Sequence, residues 1–320
     1  MLLKFIKFKL RILVSRQRKL KLLYCIGKLP LNSSVTLLDI GAAGKIQQRW
    51  SEISSIINYI GFEPDLRSRE LLLANPQSCK SYRIYSDVVS DDSEIMNFNL
   101  TRKPQVSSIY EPNFEILNKF SNSERFEIIS KETTKTTKLD DLGLKADFIK
   151  MDIQGAELRA LKGAEKLLNE TLGIEIEIEF IEVYKNQPKF AEINSLLEMQ
   201  GFMLLDFVNI YRWERDSFNG LGQVIFVEGL YIKTPETLVK DKITVEKMSS
   251  YFIILFLYKR YDLIYTFHKL LPDSLRQKFL EFINQCALLE KKHAKLSDYN
   301  SKVNIIFKFI DPNYKSHLLY

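Results

Sequence analysis

The chain has 320 residues, 46% hydrophobic and 27% charged, a balance that fits a folded globular protein and excludes a disordered or fibrous one. The net charge of +6 is uneven: residues 1–28 hold nine Lys/Arg and no acid, residues 29–240 hold 24 Lys/Arg against 32 Asp/Glu, and residues 241–320 hold 13 against 8. An acidic middle between basic flanks lacks the basic track that a nucleic acid backbone requires of the core. Cys25, Cys79 and Cys286 are odd in number and far apart. They form neither a disulfide framework nor a metal spacing, so a reducing, cytoplasmic setting and no metal are expected. His268, His293 and His317 all lie beyond the acidic middle, which excludes a Ser-His-Asp triad confined to it.

Residues 1–30 open the chain with Leu3, Ile6, Leu10 and Leu13 at helical spacing and Lys4, Lys7, Arg11 and Arg18 largely on another face. A basic amphipathic helix follows, able to lie on an anionic membrane surface. Charges interrupt each of its apolar runs, so it is no signal peptide. Val35–Ile40 reads as a buried strand with Gly41 and Gly44 in the turn after it. Ile46, Trp50, Ile53, Ile57 and Ile60 predict a helix with one inward stripe, and Tyr59–Glu63 a second strand that Pro64 expels from the sheet. Tyr82–Val89 is a third strand, ending near Asp87.

Residues 94–140 contain short Thr- and Ser-rich runs that suggest an antiparallel insertion. Phe148–Asp152 returns to the parallel pattern, and Gly155–Leu168 predicts one helix with Leu158, Leu161, Ala164 and Leu168 inward. Gly173–Phe180 alternates strictly, isoleucines on one face and Glu175, Glu177 and Glu179 on the other. A strand buried on both faces should not look like this, so the three carboxylates need solvent, cationic partners or a chemical role. The helix Phe190–Gln200 and strands Met203–Ile210 and Gln223–Lys233 complete a domain over residues 31–236. Residues 237–320 predict a helical extension, packed on the core or on a second subunit as a homodimer. Its longest apolar run, about Tyr251–Tyr258, falls far short of the ~20 residues of a spanning helix.

Acidic strand ends beside glycine turns place carboxylates and open backbone where doubly wound α/β sheets bind ligands. A Gly-rich turn, with an acid ending the next strand, is suited to gripping an adenosine: glycine admits the ligand and the acid takes the ribose hydroxyls. Glu63 stands 22 residues after Gly41, room for one helix and one strand. A nicotinamide dinucleotide and S-adenosylmethionine compete for this loop. Ala43 occupies the middle-glycine position, and Asp39 would oppose a pyrophosphate but welcome an ammonium and a sulfonium, so charge favours S-adenosylmethionine.

The segments Leu38-Asp39-Ile40-Gly41-Ala42, Gly61-Phe62-Glu63-Pro64-Asp65 and Ser107-Ser108-Ile109-Tyr110-Glu111-Pro112-Asn113 together resemble the FkbM-type S-adenosylmethionine-dependent methyltransferases. The resemblance continues through Thr136–Leu142, Ile149–Ala164 and Phe180–Pro188 to Gly201-Phe202, and covers roughly residues 35–233. It implies a class I, Rossmann-like fold with a mostly parallel seven-stranded sheet and one antiparallel strand near the end. The implied activity is methylation of oxygen, often on sugar hydroxyls of glycans or glycosylated metabolites. Carried over, Asp39, Gly41 and Ala42 would line the methionine part of the cofactor, Glu63 the ribose, and Asp87 with Val88 the adenine, with Gly44 and Pro64 also expected at the cofactor. Two departures are visible: Ala43 where the family commonly has Asn, and Gln154 where it often has Glu.

Methyl transfer needs an in-line acceptor oxygen and a group to receive its proton. Asp152 is the first candidate carboxylate and Glu179 the second, with Tyr184, Glu157 and Ser108 expected on the acceptor side; bracing its own helix is the equal alternative for Glu157. A nucleic-acid methyltransferase, a catalytically weak cofactor-binding scaffold and a nicotinamide dehydrogenase are the competing readings, and a carboxylate magnesium site using Asp152 stays open.

Overall fold

The computed structural model describes residues 19–30, 33–215 and 220–289. The chain divides into a unit Ser33–Ile254 and a second drawn from its two ends. In the first, a seven-stranded sheet is ordered β3-β2-β1-β7-β8-β10-β9. Its strands are β1 (Val35–Ile40), β2 (Ile57–Phe62), β3 (Ser81–Tyr85), β7 (Phe148–Met151), β8 (Gly173–Glu179), β9 (Phe202–Trp213) and β10 (Gln223–Lys233). The run from β3 to β8 is parallel, whereas β10 is antiparallel to both β8 and β9. That is the single reversed strand near the end that the family resemblance implied. A smaller sheet, β4 (Val88–Val89), β6 (Ile128–Thr137) and β5 (Ile95–Thr101), forms the expected insertion, with β5 and β6 antiparallel.

One face of the main sheet is apolar. Leu38, Ile40, Ile60, Phe62, Ile149, Met151 and the isoleucines of β8 form its centre, packed with Leu161, Leu168, Ile193 and Leu197. These last residues come from α5 (Glu157–Lys162), α6 (Glu165–Glu170) and α7 (Phe190–Met199). Burying each such aliphatic side chain contributes about 1.5–3 kcal/mol relative to exposure. On the opposite face Trp50 lies 4.9 Å from Phe148, centroid to centroid.

The structure corrects four expectations. The long helix after β1 is only a turn, Gln48–Ser51, followed by a 3₁₀ segment Ser54–Ile56, and Ile57 and Ile60 belong to β2. The stripe is nonetheless real as burial, since all five of its apolar residues are buried. The strand at 82–89 breaks at Ser86-Asp87, which frees Val88-Val89 to pair with Thr136-Thr137. The helix at 155–168 is two, α5 and α6, because Gly163 presses on the chain at Ser90: a Cβ there would sit 2.1 Å from the Ser90 carbonyl oxygen. Most important, β8 is buried along its whole length, carboxylate face included.

The basic N-terminal residues Leu3 to Arg18 lie outside the described residues. From the two ends of the chain, residues 19–26 are helical, as are Tyr261–Leu270 and 273–289. Lys28 and Glu281 form an ion pair at 2.5 Å, and the rings of Phe256 and Phe282 lie 5.6 Å apart. Among the described residues no helix is long and apolar enough to cross a membrane.

Candidate active site

The carboxyl ends of β1, β2 and β7 converge on an open cleft. At its base, β1 turns at Gly41 with φ +82°, and the backbone N–H groups of Gly41 and Ala42 both donate to the Phe62 carbonyl at 3.0 Å. Asp152 N–H in turn donates to the Ile40 carbonyl at 2.9 Å. This locks the two signature turns together. A Cβ on Gly41 would lie 1.8 Å from the Asp152 carbonyl oxygen, so only glycine permits the approach.

Gly41, Glu63, Pro64, Asp87, Val88 and Asp152 line the cleft, together with Phe98, Gln105 and Ile109 of the insertion. Glu63 is buried and its Oε1 accepts from Asp65 N–H at 2.9 Å. Burial lifts its pKa to about 7, against the pull of the hydrogen bond from Asp65 N–H. Asp65 ends the loop by capping the next helix through Arg67 N–H at 3.0 Å, and its carboxylate is gripped by the Arg67 guanidinium. Asp87 Oδ1 accepts from the Thr137 hydroxyl at 3.1 Å. Ala42 is buried beneath the turn, Gly44 lies off the cleft, and Asp39 faces sideways along the sheet. Its Oδ2 accepts from the Tyr59 hydroxyl at 2.7 Å, and its Oδ1 lies 3.9 Å from Lys150 Nζ.

Lys150 neutralises this region. Burial alone would lower its pKa, but Asp152, 3.3 Å away, and Asp39 outweigh it and hold the ammonium charged. Beyond it the chain turns through Gln154 (φ +58°) and Gly155 (φ +95°). Glu157 is fully buried and its Oε1 accepts from Ile153 N–H at 2.7 Å, so it braces this turn from within. The Ser108 hydroxyl fastens the same turn from the other side, donating to the Gln154 carbonyl at 2.8 Å.

Gln154 is the partition between this cleft and a second cavity. Its Nε2 donates to Asp152 Oδ1 at 2.7 Å and to Glu177 Oε1 at 2.9 Å, while its Oε1 accepts from the Tyr184 hydroxyl at 2.8 Å. A glutamate here would set a third carboxylate against two others; the amide satisfies all three groups. The second cavity is lined by Gln154, Glu177, Glu179 and Tyr184 together with Arg125, Phe126, Trp213 and Phe226. Its floor is tied to the insertion, since Asn113 N–H donates to the Val183 carbonyl at 2.9 Å.

The β8 carboxylates have separate fates. Glu175 accepts from Gln47 and lies 3.7 Å from Arg49, and Glu177 is held by Gln154. Glu179 Oε2 is buried with no hydrogen-bond partner. Burial pushes both Glu177 and Glu179 well above the usual carboxylate range, aided by Asp152 for the first and Glu157 for the second. Glu157 itself is raised to about 7, again chiefly by burial.

These shifts have a stability consequence. A carboxyl whose folded pKa exceeds its unfolded value holds a proton that the unfolded chain has released, so stability is lost as pH rises through that window. For Glu63 and Glu157 the window runs from 4.5 to about 7. The melting temperature of the unliganded protein should therefore fall by about 5–10 °C between pH 5 and pH 8. A melting curve that is flat or rises over that range would contradict the burial of these groups as carboxylic acids.

Sequence reasoning did not single out Lys150, Arg125, Trp213 or the partition role of Gln154. Lys150 had a signal, a lone charge within the apolar run Phe148–Met151. Arg125 and Trp213 had none, because they reach the cavity from an irregular insertion and from the far strand.

The donor set fits S-adenosylmethionine. Three carboxylates, Glu63, Asp87 and Asp152, line the cleft and suit a ligand that carries a sulfonium, an ammonium and ribose hydroxyls, and the Gly41 turn leaves open backbone beside them. Among solved structures, the chain is similar to a precorrin-6y C5,15-methyltransferase from Geobacter metallireducens, at 10% identity over 66% of this chain and 88% of that one, with a TM-score of 0.32. It is also similar to the fibrillarin pre-rRNA processing protein of Methanococcus jannaschii, at 18% identity over 64% and 69%, TM-score 0.33. A SAM-dependent methyltransferase from Methanosarcina mazei matches at 10% identity over 63% and 93%, TM-score 0.31. No curated protein matches the chain. The model of the methyltransferase FkbM domain matches residues 44–204, from the first glycine turn to the start of β9. The chain belongs to the FkbM methyltransferase family and is an S-adenosylmethionine-dependent methyltransferase.

Proposed function

We propose that the chain methylates a hydroxyl group of a sugar, in a glycan, polysaccharide or glycosylated metabolite. The observation that carries this reading is Glu179: a buried carboxylate with one unpartnered oxygen, in an aromatic-walled cavity separated from the cofactor cleft by a single side chain. A hydroxyl needs a proton acceptor to become a competent nucleophile, and a buried carboxylate of raised pKa is a stronger base than an exposed one. Val106, Val183 and Phe226 add apolar lining suited to the C–H faces of a sugar.

When bound, S-adenosylmethionine supplies a methyl group on a sulfonium that departs as a neutral thioether when the acceptor oxygen takes the carbon. Glu63 would hold the ribose hydroxyls, Asp87 and Val88 the adenine, and the Gly41 turn the methionine part. Glu179 takes the hydroxyl proton. Asp152, itself paired with Lys150, and Glu177 fix the Gln154 amide, which with Tyr184 sets where the acceptor oxygen stands.

Incubating the protein with methyl-tritiated S-adenosylmethionine and a panel of sugars and glycosides tests this directly. O-methyl products, identified by mass and by NMR of the methoxy carbon, are expected; transfer only to amines, or to no sugar, would overturn the reading. Glu63 gives a cofactor-side check. Its Ala variant should bind S-adenosylhomocysteine about 10-fold or more weakly in calorimetry, and wild-type affinity should rise from pH 6 to pH 8 as this carboxyl, with its pKa near 7, ionises. Unchanged affinity in the variant would remove Glu63 from the site.

A further inference from the structure

The lining of the second cavity carries groups of opposite charge: Glu177 and Glu179 beside Gln154, and Arg125 with Lys103. Arg125 is unusual among the described arginines near the site. Arg67 grips Asp65, and Arg159 is paired with Asp91 and Glu94. Arg125 has no salt bridge among the described residues, and its Nε is buried without a hydrogen-bond partner. Its guanidinium instead lies over two rings, 4.7 Å from the Trp213 centroid and 5.0 Å from that of Phe126.

A stacked guanidinium is held in plane with its N–H edge free, and that edge matches the two oxygens of a carboxylate. Arginine does not shed its proton in a protein, so a half-buried, unpaired guanidinium is costly until an anion reaches it. Burial also lowers its pKa, the direction expected of a cation that has lost water without gaining a partner. The segment is placed deliberately: the Lys103 N–H donates to the Arg125 carbonyl at 3.1 Å, which brings a second cation to the same wall.

We infer that the acceptor sugar bears a carboxylate, as a uronic acid does, and that Arg125 is the residue that selects it, with Lys103 adding charge at the cavity mouth. This rests on the proposed sugar hydroxyl methylation and names its substrate class. The carboxylate pairs with the Arg125 edge and the hydroxyl to be methylated points to Glu179. A neutral sugar would leave Arg125 unpaired and forfeit that interaction. A sugar whose carboxylate faced Glu177 and Glu179 would be repelled, so the charged groups of the lining also set the orientation.

The test uses the full-length protein saturated with S-adenosylhomocysteine and three probes, methyl glucuronoside, methyl glucoside and glucose 6-phosphate, with binding followed by ligand-observed NMR titration. The glucuronoside should bind about 10- to 100-fold more tightly than the glucoside. That preference should collapse in Arg125→Gln and weaken in Arg125→Lys, which keeps the charge but not the fork, and persist in Glu179→Gln. Binding of S-adenosylhomocysteine to both Arg125 variants should match wild type, which separates loss of selection from loss of folding. Equal binding of glucuronoside and glucoside, or a preference that survives Arg125→Gln, would overturn this inference while leaving sugar methylation standing. Stronger binding of the phosphate would overturn the carboxylate assignment. Binding of none of the three would overturn both readings.

Discussion

Glu179→Gln should lower kcat by about 10²–10⁴-fold while the dissociation constant of S-adenosylhomocysteine stays within a few-fold of wild type. The side chain keeps its size, and Glu179 lines the second cavity rather than the cofactor cleft. What is lost is the proton acceptor alone. The pH profile gives an independent reading. Glu179 must be ionised to accept a proton, and burial raises its pKa, so wild-type kcat should climb with pH above the ordinary carboxylate range. The variant should lose that limb. Asp152→Asn is the comparison, because Asp152 is engaged by both Lys150 and Gln154 and faces the cofactor cleft. Should Asp152→Asn abolish turnover while Glu179→Gln retains it, the base is Asp152 and the second cavity needs another role.

Gly41→Ala should be the most damaging single methyl in the domain. The new Cβ would stand 1.8 Å from the Asp152 carbonyl oxygen and 2.8 Å from its carbon, so the ends of β1 and β7 must separate. Those ends carry both halves of the cofactor cleft. Loss of detectable S-adenosylhomocysteine binding and a melting temperature lower by about 10 °C or more, or failure to fold, is expected. Gly44→Ala is the internal control. Gly44 also has positive φ, +119°, yet a Cβ there meets nothing within 4 Å. It carries only the backbone strain of about 1–3 kcal/mol. Equal stability of the two variants would mean that the close approach of the two turns does not matter.

The strand ends were legible because their signals are local. Val35–Ile40 and Phe148–Met151 are apolar runs closed by a glycine and an acid, Gln223–Lys233 is closed by Thr234-Pro235, and each is a strand of the sheet. The helix at 155–168 was legible only as a pattern. Its break at Gly163 depends on the backbone of Ser90, more than seventy residues earlier, which no periodicity in 155–168 records. The alternation in β8 misled for the same reason. Period two normally marks a wet face, but here Glu175 meets Gln47 and Arg49, and Glu177 meets Gln154, all supplied from elsewhere in the chain.

By itself, then, the sequence determined the parallel sheet, the glycine turn of the cofactor cleft, the acids at its strand ends and the family to which they belong. Each of these is encoded in the order of neighbouring residues. The tertiary structure decided which carboxylate oxygens are paired and which are not, that Gln154 lines both the cleft at the strand ends and the second cavity, and that Arg125 and Trp213 share the latter's wall. Those outcomes turn on desolvation and on contacts between distant segments, and both exist only once the chain has closed around them.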